Sequence, residues 1–567
     1  MSNQAVQYEY QEDMQTMEND YPCNSINWEY KNDVNNGNYA AGQINFGTIN
    51  FTGTEAGVQF SPHKGFITVP YTVTLDAINC TFTSDDTTVV ADNKYALGSK
   101  GYHHFIDKTS LKVGGTQITE NNDFQNLVSN EHLKNMNQDE KLLMGSILNY
   151  ELDSTDSFSF LASVGEVNNA MSPYGGTSAI YSQNNGHVKR MNSTNLNAGW
   201  IANSGGLITS TNLMKSLQST MSTNTASKLE FTGVATIPLH VVHKAFENMP
   251  SLSNINQMIL SLQTNIGAQN SYLMNFTGRA QTAGLPNVLS SIDVNQAVGR
   301  TCPFLVSSSG EANSSGVPTN YGLTIHAPAA SAAFSVKLTA KIGYNGSTTE
   351  QCKLYIPVIN LAPTLLTKVL SDTTPFRLLY NDYYITEIQN VATGAAVKKT
   401  YDADISRPRT LYLAPFASGA PANAGVVRPY QSPVSSAPTT CTPCRLENTQ
   451  IKLGGSNIYP EPINYTYENY NEHIFELLGT FNGNSSKSNF KSGLIAKNMY
   501  ESCYGVPRYN IEKVLSQTSD DKSKQFILEF RNSNSIAMDY LVIIEYQKEV
   551  LISRSTGIMI RPDKVSV

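Results

Sequence analysis

"AMDYLVIIEYQKEVLIS", residues 537–553, is the stretch on which the fold turns. Met538, Tyr540, Val542, Ile544 and Tyr546 fall on one parity, and Asp539, Glu545 and Gln547 on the other. Successive side chains of a strand point to opposite faces, so a period of two through β-branched and aromatic residues describes a long, half-buried strand. The same pattern recurs outward in both directions: "KQFILEF" (524–530), "RLENTQIKLGG" (445–455), "RTLYLAPF" (409–416), "FRLLYNDYYITEI" (376–388), "CKLYIPVI" (352–359) and "AFSVKLTAKI" (333–342). Short helices are expected between them, at "PTLLTKVL" (363–370) and in "INYTYENYNEHIFELLGTF" (463–481).

The first part of the chain repeats this grammar. "INFGTINF" (44–51), "GFITVPYTVTL" (65–75) and "TSLKVGGTQI" (109–118), the last running through a Gly-Gly turn, read as strands. A helical interruption follows over 122–148, where Phe124, Leu127, Leu133 and Met136 recur at roughly helical spacing. Strands resume at "KLEFTGVATIPL" (228–239), pause at the short helix "HVVHKAFENMP" (240–250), and return in "MILSLQTN", "YLMNFTG" and "YGLTIHAP". Residues 154–227 carry turn chemistry without sustained periodicity and read as a long surface excursion. "SSSGEANSSGVP" and "APAASAA" mark 310–332 as the weakest point, placing a domain boundary near 330.

At 567 residues the chain exceeds what a single core organises, so two domains are expected. Each half holds about eight strands, matching an all-β protein of two consecutive eight-stranded jelly-roll β-sandwiches with short inserted helices and long loops. Other β-sandwiches share that periodicity. The division is 1–40 as an acidic arm, 41–330 as the first jelly roll with 154–227 exposed, and 331–567 as the second. The arm is polar and lacks apolar periodicity apart from isolated aromatics such as Trp28 and Tyr30, so it reads as flexible or ordered by a partner.

Charge excludes some functions. Of the net charge of −7, most sits in residues 1–37, where Glu9, Glu12, Asp13, Glu18, Asp20, Glu29 and Asp33 face Lys31 alone. Displacing counterions from phosphates needs a basic stripe, and no Lys/Arg-rich run exists, so direct nucleic-acid binding is not expected. No basic-then-apolar leader and no run of about 18 apolar residues occurs, which points to synthesis in the cytoplasm. The seven cysteines are odd in number and mostly isolated, so no disulfide framework is implied.

Candidate chemistry reduces to four places. "CTPC" spaces Cys441 and Cys444 as a zinc or redox pair, but no second pair completes four ligands and the setting is a Pro-rich loop before a strand. His240 and His243, at i and i+3, would need a third metal ligand; packing of Val241, Ala245, Phe246 and Met249 with the histidines at the rim is the plainer reading. His103 and His104 are adjacent and point to different sides of any regular element. On the helix after residue 463, His473 precedes Glu476 while Glu468, Glu472 and Glu476 line one face. Yet Tyr467, Tyr470, Ile474, Leu477 and Leu478 form a core stripe that explains the helix without chemistry. Phosphate-loop, dinucleotide, HExxH and GxSxG patterns are absent, so no enzyme, no cofactor and no metal or catalytic residue is expected.

Several segments, in order, resemble the major capsid proteins of double jelly-roll viruses, in particular Polinton-like viruses, adintoviruses and virophages, in the adenovirus and tailless-phage capsid lineage. They are "IPLHVVHKAFENMP" and "QMILSLQTN" in the first half, then "CKLYIPVINLAPTLLTKVL", "FRLLYNDYYITEIQNV", "ISRPRTLYLAPF", residues 431–476 and "AMDYLVIIEYQKEVLISRSTG" in the second. The resemblance implies two jelly rolls standing perpendicular to a capsid surface and three chains forming a pseudo-hexagonal capsomer of an icosahedral double-stranded DNA virus. It further implies residues 154–227 in an outward crown, the acidic arm at the base, and neighbouring capsomers, penton and minor capsid proteins as partners in the virion. A carbohydrate-binding or adhesive β-protein of fibre or lectin type is the alternative, motivated by the Asn/Ser/Thr/Tyr-rich loops.

Overall fold

The computed structural model describes residues 23–39, 41–49, 58–79, 81–83, 94–99, 101–121, 160–163, 179–182, 228–253, 257–264, 271–279, 288–294, 303–308, 323–326, 333–343, 350–362, 375–401, 405, 407–417, 444–479, 497, 500, 505–511, 525–534, 537–552 and 559–560, with 128, 143, 145 and 147–149 as single positions or short pieces. It is an antiparallel all-β protein. Of the helix expected over 122–148, the described positions Val128, Leu143, Gly145, Ile147 and Leu148 are helical. The helix expected at 363–370 lies outside the described residues. Within 154–227, the described residues are Phe160–Ser163 and Ala179–Ser182, which pair as a two-stranded ribbon.

In the first half, strand Phe66–Ile78 organises a nine-stranded sheet. Lys228–Pro238 pairs along its whole length with Val234 opposite Pro70, and Ala333–Ile342 pairs on its other edge with Leu338 opposite Leu75. Ile67, Val69, Tyr71, Val73 and Leu75 alternate inward, as the period of two predicts. Facing them are Ile44, Phe46, Leu111, Val113, Leu260 and Leu262 from a four-stranded sheet in the order Gln43–Ile49, Met258–Gln263, Lys108–Val113, Thr116–Asn121. Each such buried aliphatic side chain contributes about 1.5–3 kcal/mol. A second four-stranded sheet, Phe304–Ser308 with Lys94–Ser99, Leu323–His326 and Thr81–Thr83, joins through rings: Tyr71 lies 5.2 Å from Phe304 and 5.3 Å from Phe105.

The second half is a sandwich of two five-stranded sheets. Among the described residues, one carries Phe376–Val391, Met538–Ile552, Pro408–Ala417, Arg508–Asn510 and Met559–Ile560; the other carries Ala396–Tyr401, Phe526–Asn532, Leu446–Leu453, Ser456–Asn457 and Ile463–Tyr465. The halves use the same turn device. Val113 pairs with Thr116 across Gly114–Gly115, and Leu453 with Ser456 across Gly454–Gly455. All four glycines have positive φ, the two-residue hairpin geometry that suits right-twisted strands and that side chains resist.

Three sequence expectations change. The hydrogen-bonded sheets change hands between Leu361 and Phe376 and not near 330, because Ala333–Ile342 and Lys353–Leu361 both bond to Phe66–Ile78, and the latter also to Val58–Phe60. Of the loop-rich stretch at 310–332, the described residues Leu323–His326 are a strand paired with Lys94–Ser99 and Thr81–Thr83 of the first half.

The arm is also shorter than residues 1–40 suggest. Cys23–Asn32 is a strand paired with Lys353–Leu361, Trp28 opposite Pro357, and its end is pinned where the Asp33 amide donates to Cys352 O (3.0 Å) and the Cys352 amide to the Tyr39 hydroxyl (2.9 Å). The alternation of Ile26, Trp28 and Tyr30 was a strand signal masked by the acidic composition around it.

Finally, the strand at 538–552 is buried on both faces in its middle. Met538, Tyr540, Val542 and Ile544 enter the main core, while Leu541 and Ile543 join Tyr383, Tyr412 and Ala414 in a second cluster on the opposite face. Glu545, expected outside, is buried there and accepts from the Tyr412 hydroxyl (3.0 Å) and Asn381 Nδ2 (2.5 Å).

Candidate assembly surfaces

The helix Tyr467–Gly479 starts at Thr466, whose amide and hydroxyl both donate to Asn469 Oδ1 at 3.0 and 3.1 Å, an N-terminal cap. Tyr470 and His473 are buried, one turn apart, whereas Glu468 and Glu472 are exposed. The helix therefore turns Glu468 and Glu472 away from the buried histidine. Glu468 meets Lys497 at 3.3 Å; its own amide, Thr466 and Lys497 hold its carboxyl below the usual range. The side chains of Ile474, Glu476, Leu477 and Leu478 lie outside the described residues.

Beneath this helix Tyr470 packs against Tyr500 (4.6 Å between rings) and Tyr465 against Tyr509 (4.8 Å). Tyr465 anchors the nest by accepting from the Arg508 amide (2.9 Å) and donating to its carbonyl (2.7 Å). Cys444 is a free thiol in this neighbourhood, and burial pushes it well above its ordinary value, the opposite of what a zinc thiolate or redox nucleophile needs. Cys441 lies outside the described residues. His103 and His104 share a tight helical turn, Tyr102–Phe105, that leaves both buried with rings 4.6 Å apart and not on opposite sides. Among the described residues, no group of three His, Cys, Asp or Glu side chains is arranged to hold a metal ion.

His243 is buried and not at a rim, because it faces the other half of the molecule. Its Nδ1 accepts from the Ala245 amide (3.0 Å), which caps the turn Lys244–Asn248, and its Nε2 lies 3.5 Å from Asp382 Oδ1. Asp382 Oδ2 also receives Lys548 Nζ (3.3 Å) and the Tyr546 hydroxyl (3.1 Å). Asn248 Nδ2 donates to Leu379 O (3.2 Å), and the Tyr380 ring meets the His243 ring edge-on at 5.6 Å. A polar seam thus joins the halves. Neither Asp382, Tyr380 nor Lys548 was singled out by the sequence reading, since each sits in an ordinary strand pattern. The one available signal is an acid inside an apolar alternation, at "LLYNDYY".

The outer face of the first sheet is the other unusual surface. Ile26, Trp28 and Tyr30 are 58%, 56% and 55% exposed, all on one side of an edge strand. Trp28 lies 5.6 Å from Phe66, Phe66 stacks on Tyr355 at 4.9 Å, and Lys353 Nζ sits 5.3 Å over the Tyr30 ring. Large apolar groups gathered outward on a sheet edge are the mark of a surface that another chain covers.

No family model matches the sequence and no curated protein is similar to it. Solved structures are. The cryo-EM structure of the Sputnik virophage aligns with a TM-score of 0.50 at 12% identity over 97% of this chain and 91% of that one. The Faustovirus major capsid protein aligns at 0.46 and 11% identity over 95% and 93%, and the mavirus major capsid protein at 0.41 and 11% over 97% and 94%. Two sandwiches in one chain, their hydrogen-bonded sheets and their near-complete overlap with the virophage structure give one conclusion: this chain has the double jelly-roll fold.

Proposed function

We propose that the chain is the major capsid protein of an icosahedral double-stranded DNA virus, with three copies forming a pseudo-hexagonal capsomer. The observation that carries this reading is the pair of jelly rolls joined in one chain, since two sandwiches in each of three copies supply six similar units around an axis. The exposed aromatic face of Ile26, Trp28 and Tyr30 supports association, because obligate interfaces bury apolar surface of this kind. Residues 154–227 form the outward crown, the segment before Cys23 reaches neighbouring capsomers, and penton and minor capsid proteins complete the virion. The domain division follows the sheets: the first jelly roll runs from Cys23 through Leu361 and the second from Phe376.

Sedimentation of the purified chain with negative-stain microscopy tests the reading. Triangular-topped hexagonal particles at three times the chain mass are expected; a monomer at every salt concentration and pH overturns it. The polar loops that motivated a carbohydrate-binding alternative fall mostly outside the described residues, and nothing described favours it.

A further inference from the structure

The strand Cys23–Asn32 stands at the margin of its sheet. It bonds to Lys353–Leu361 along one side, and among the described residues no strand pairs with its other side. Edges of this kind are normally kept short, bulged or charged, because they template pairing with another chain. This one runs for 10 residues, its irregularity is confined to the start between Cys23 and Ser25, and it presents Ile26, Trp28 and Tyr30 outward on one face.

The sequence holds a second version of this strand. "AVQYEYQED" (5–13) precedes "SINWEYKND" (25–33) at an offset of 20 residues. Glu9, Tyr10 and Asp13 match Glu29, Tyr30 and Asp33, while Val6, Gln7 and Tyr8 stand where Ile26, Asn27 and Trp28 stand: aliphatic for aliphatic, amide for amide, aromatic for aromatic. Val6, Tyr8 and Tyr10 share one parity, the period of a strand with a single apolar face. Laid antiparallel to Cys23–Asn32 in a register that keeps parity, they fall beside Ile26, Trp28 and Tyr30 and form the cross-strand aromatic and aliphatic pairs that stabilise sheets. The parallel, in-register arrangement would set Glu9 against Glu29, and like charges directly opposite are destabilising.

The connection between the two versions decides which copy is paired. Residues 12–22 carry Glu12, Asp13, Glu18 and Asp20 without a lysine or arginine, and like charges in a linker repel and extend it. Pro22 disfavours a helical turn at Tyr21 and keeps the entry to the strand extended. Eleven extended residues span up to about 36–40 Å, enough to leave the parent molecule, whereas turning back onto the parent strand would crowd four carboxylates into one connection. Resting on the assembly of copies proposed above, we infer that residues 6–11 of one copy add as an antiparallel strand to the outer edge of Cys23–Asn32 in a second copy. The added strand caps an edge that would otherwise pair indiscriminately and widens the aromatic face by Val6, Tyr8 and Tyr10.

Hydrogen–deuterium exchange on the full chain tests this, read in assembled particles and in the monomer at low concentration. Exchange in 6–11 is expected to slow about tenfold or more on assembly and to return to the rate of an unstructured segment in the monomer. Tyr8→Pro, which removes a ladder donor, should abolish the protection. In a second measurement, full-length chains carrying Gln7→Cys are assembled with differently tagged chains carrying Asn27→Cys or Glu29→Cys and mildly oxidised, and mass spectrometry should find a disulfide joining the substituted positions of two chains. Protection of 6–11 that persists in the monomer places the strand on its own molecule and overturns the proposal. Unprotected exchange through 6–11 in particles that sediment as capsomers also overturns it and leaves the capsid reading standing, whereas a chain that is monomeric at every salt concentration and pH overturns both. If a cysteine variant fails to assemble, the exchange comparison on the unsubstituted chain decides by itself.

Discussion

Tyr380 and Lys548, both in the second half, donate to the same carbonyl of the first half: Ile118 O receives the hydroxyl at 2.9 Å and the ammonium at 2.6 Å. Lys548 is at the same time bound to Asp382, so one lysine closes a circuit that runs from Ile118 through Asp382 to His243.

That circuit makes Asp382 the most sensitive point of the seam. Asp382→Ala leaves Lys548, Tyr546 and His243 without their common acceptor and should cost about 1–3 kcal/mol, since the carboxylate is buried while Lys548 is part-exposed and keeps Ile118 O. Denaturant unfolding followed by a probe in each half should show the two transitions separating in the variant. Tyr380→Phe, which removes a single hydroxyl, should cost about 1 kcal/mol.

Gly233 stands opposite Tyr71 in the pairing of Lys228–Pro238 with Phe66–Ile78, and a Cβ there would lie 2.4 Å from the Tyr71 hydroxyl oxygen. The Tyr71 ring is held by Tyr102, Phe105 and Phe304 and has little room to retreat. Gly233→Ala should therefore destabilise the first half by about 1–3 kcal/mol, measured as a lowered midpoint of its thermal transition. The paired variant Gly233→Ala with Tyr71→Phe should recover part of the loss.

Asn532 is fully buried and donates to Val391 O (2.9 Å) and Ala392 O (3.3 Å) while accepting from the Asn534 amide (3.0 Å), the Asn534 side chain (2.8 Å) and the Tyr540 hydroxyl (3.2 Å). Asn532→Leu is close in volume but removes all of these bonds at once from a fully buried site, so a loss of about 2–4 kcal/mol is expected. Asn532→Asp keeps the acceptor but sets a carboxyl oxygen against the Val391 and Ala392 carbonyls in a fully buried site, and should cost at least as much in an unfolding titration.

The Arg377 guanidinium, joined by Arg407, holds the Glu549 carboxyl below its ordinary range, with bonds of 2.6 and 2.7 Å from Arg377. A lowered carboxylate contributes stability that is present above its unfolded value and lost as the pH falls through the folded one. Glu549→Gln should cost less than about 1 kcal/mol near pH 7, because Arg377 is half exposed, and less still near pH 3. Chemical unfolding at the two pH values measures the difference.

Trp28 is the exposed centre of the aromatic face, so replacing it separates folding from association. Trp28→Glu should lose about 1 kcal/mol or less in monomer stability, through its contact with Phe66, yet abolish the capsomer in sedimentation. A variant that assembles as the wild type does would remove this face from the interface.

From its residues alone this protein declared most of its strands and the Gly-Gly hairpin at 114–115, because periodicity and turn chemistry are properties of neighbours in sequence. The resemblance of its ordered segments to a known family, and not periodicity, singled out two jelly rolls among the β-sandwiches. What only the tertiary structure decided are pairings between distant residues. Trp28 reads as an isolated aromatic until Pro357 lies opposite it, and Lys353–Leu361 reads as second-half grammar until it bonds to Phe66. Leu541 and Ile543 carry no sign that their face is covered as well. The seam is the extreme case: the residues that meet at Ile118 O are 262 and 430 positions away, and no local pattern encodes a contact whose partners are brought together by the packing of two separate cores.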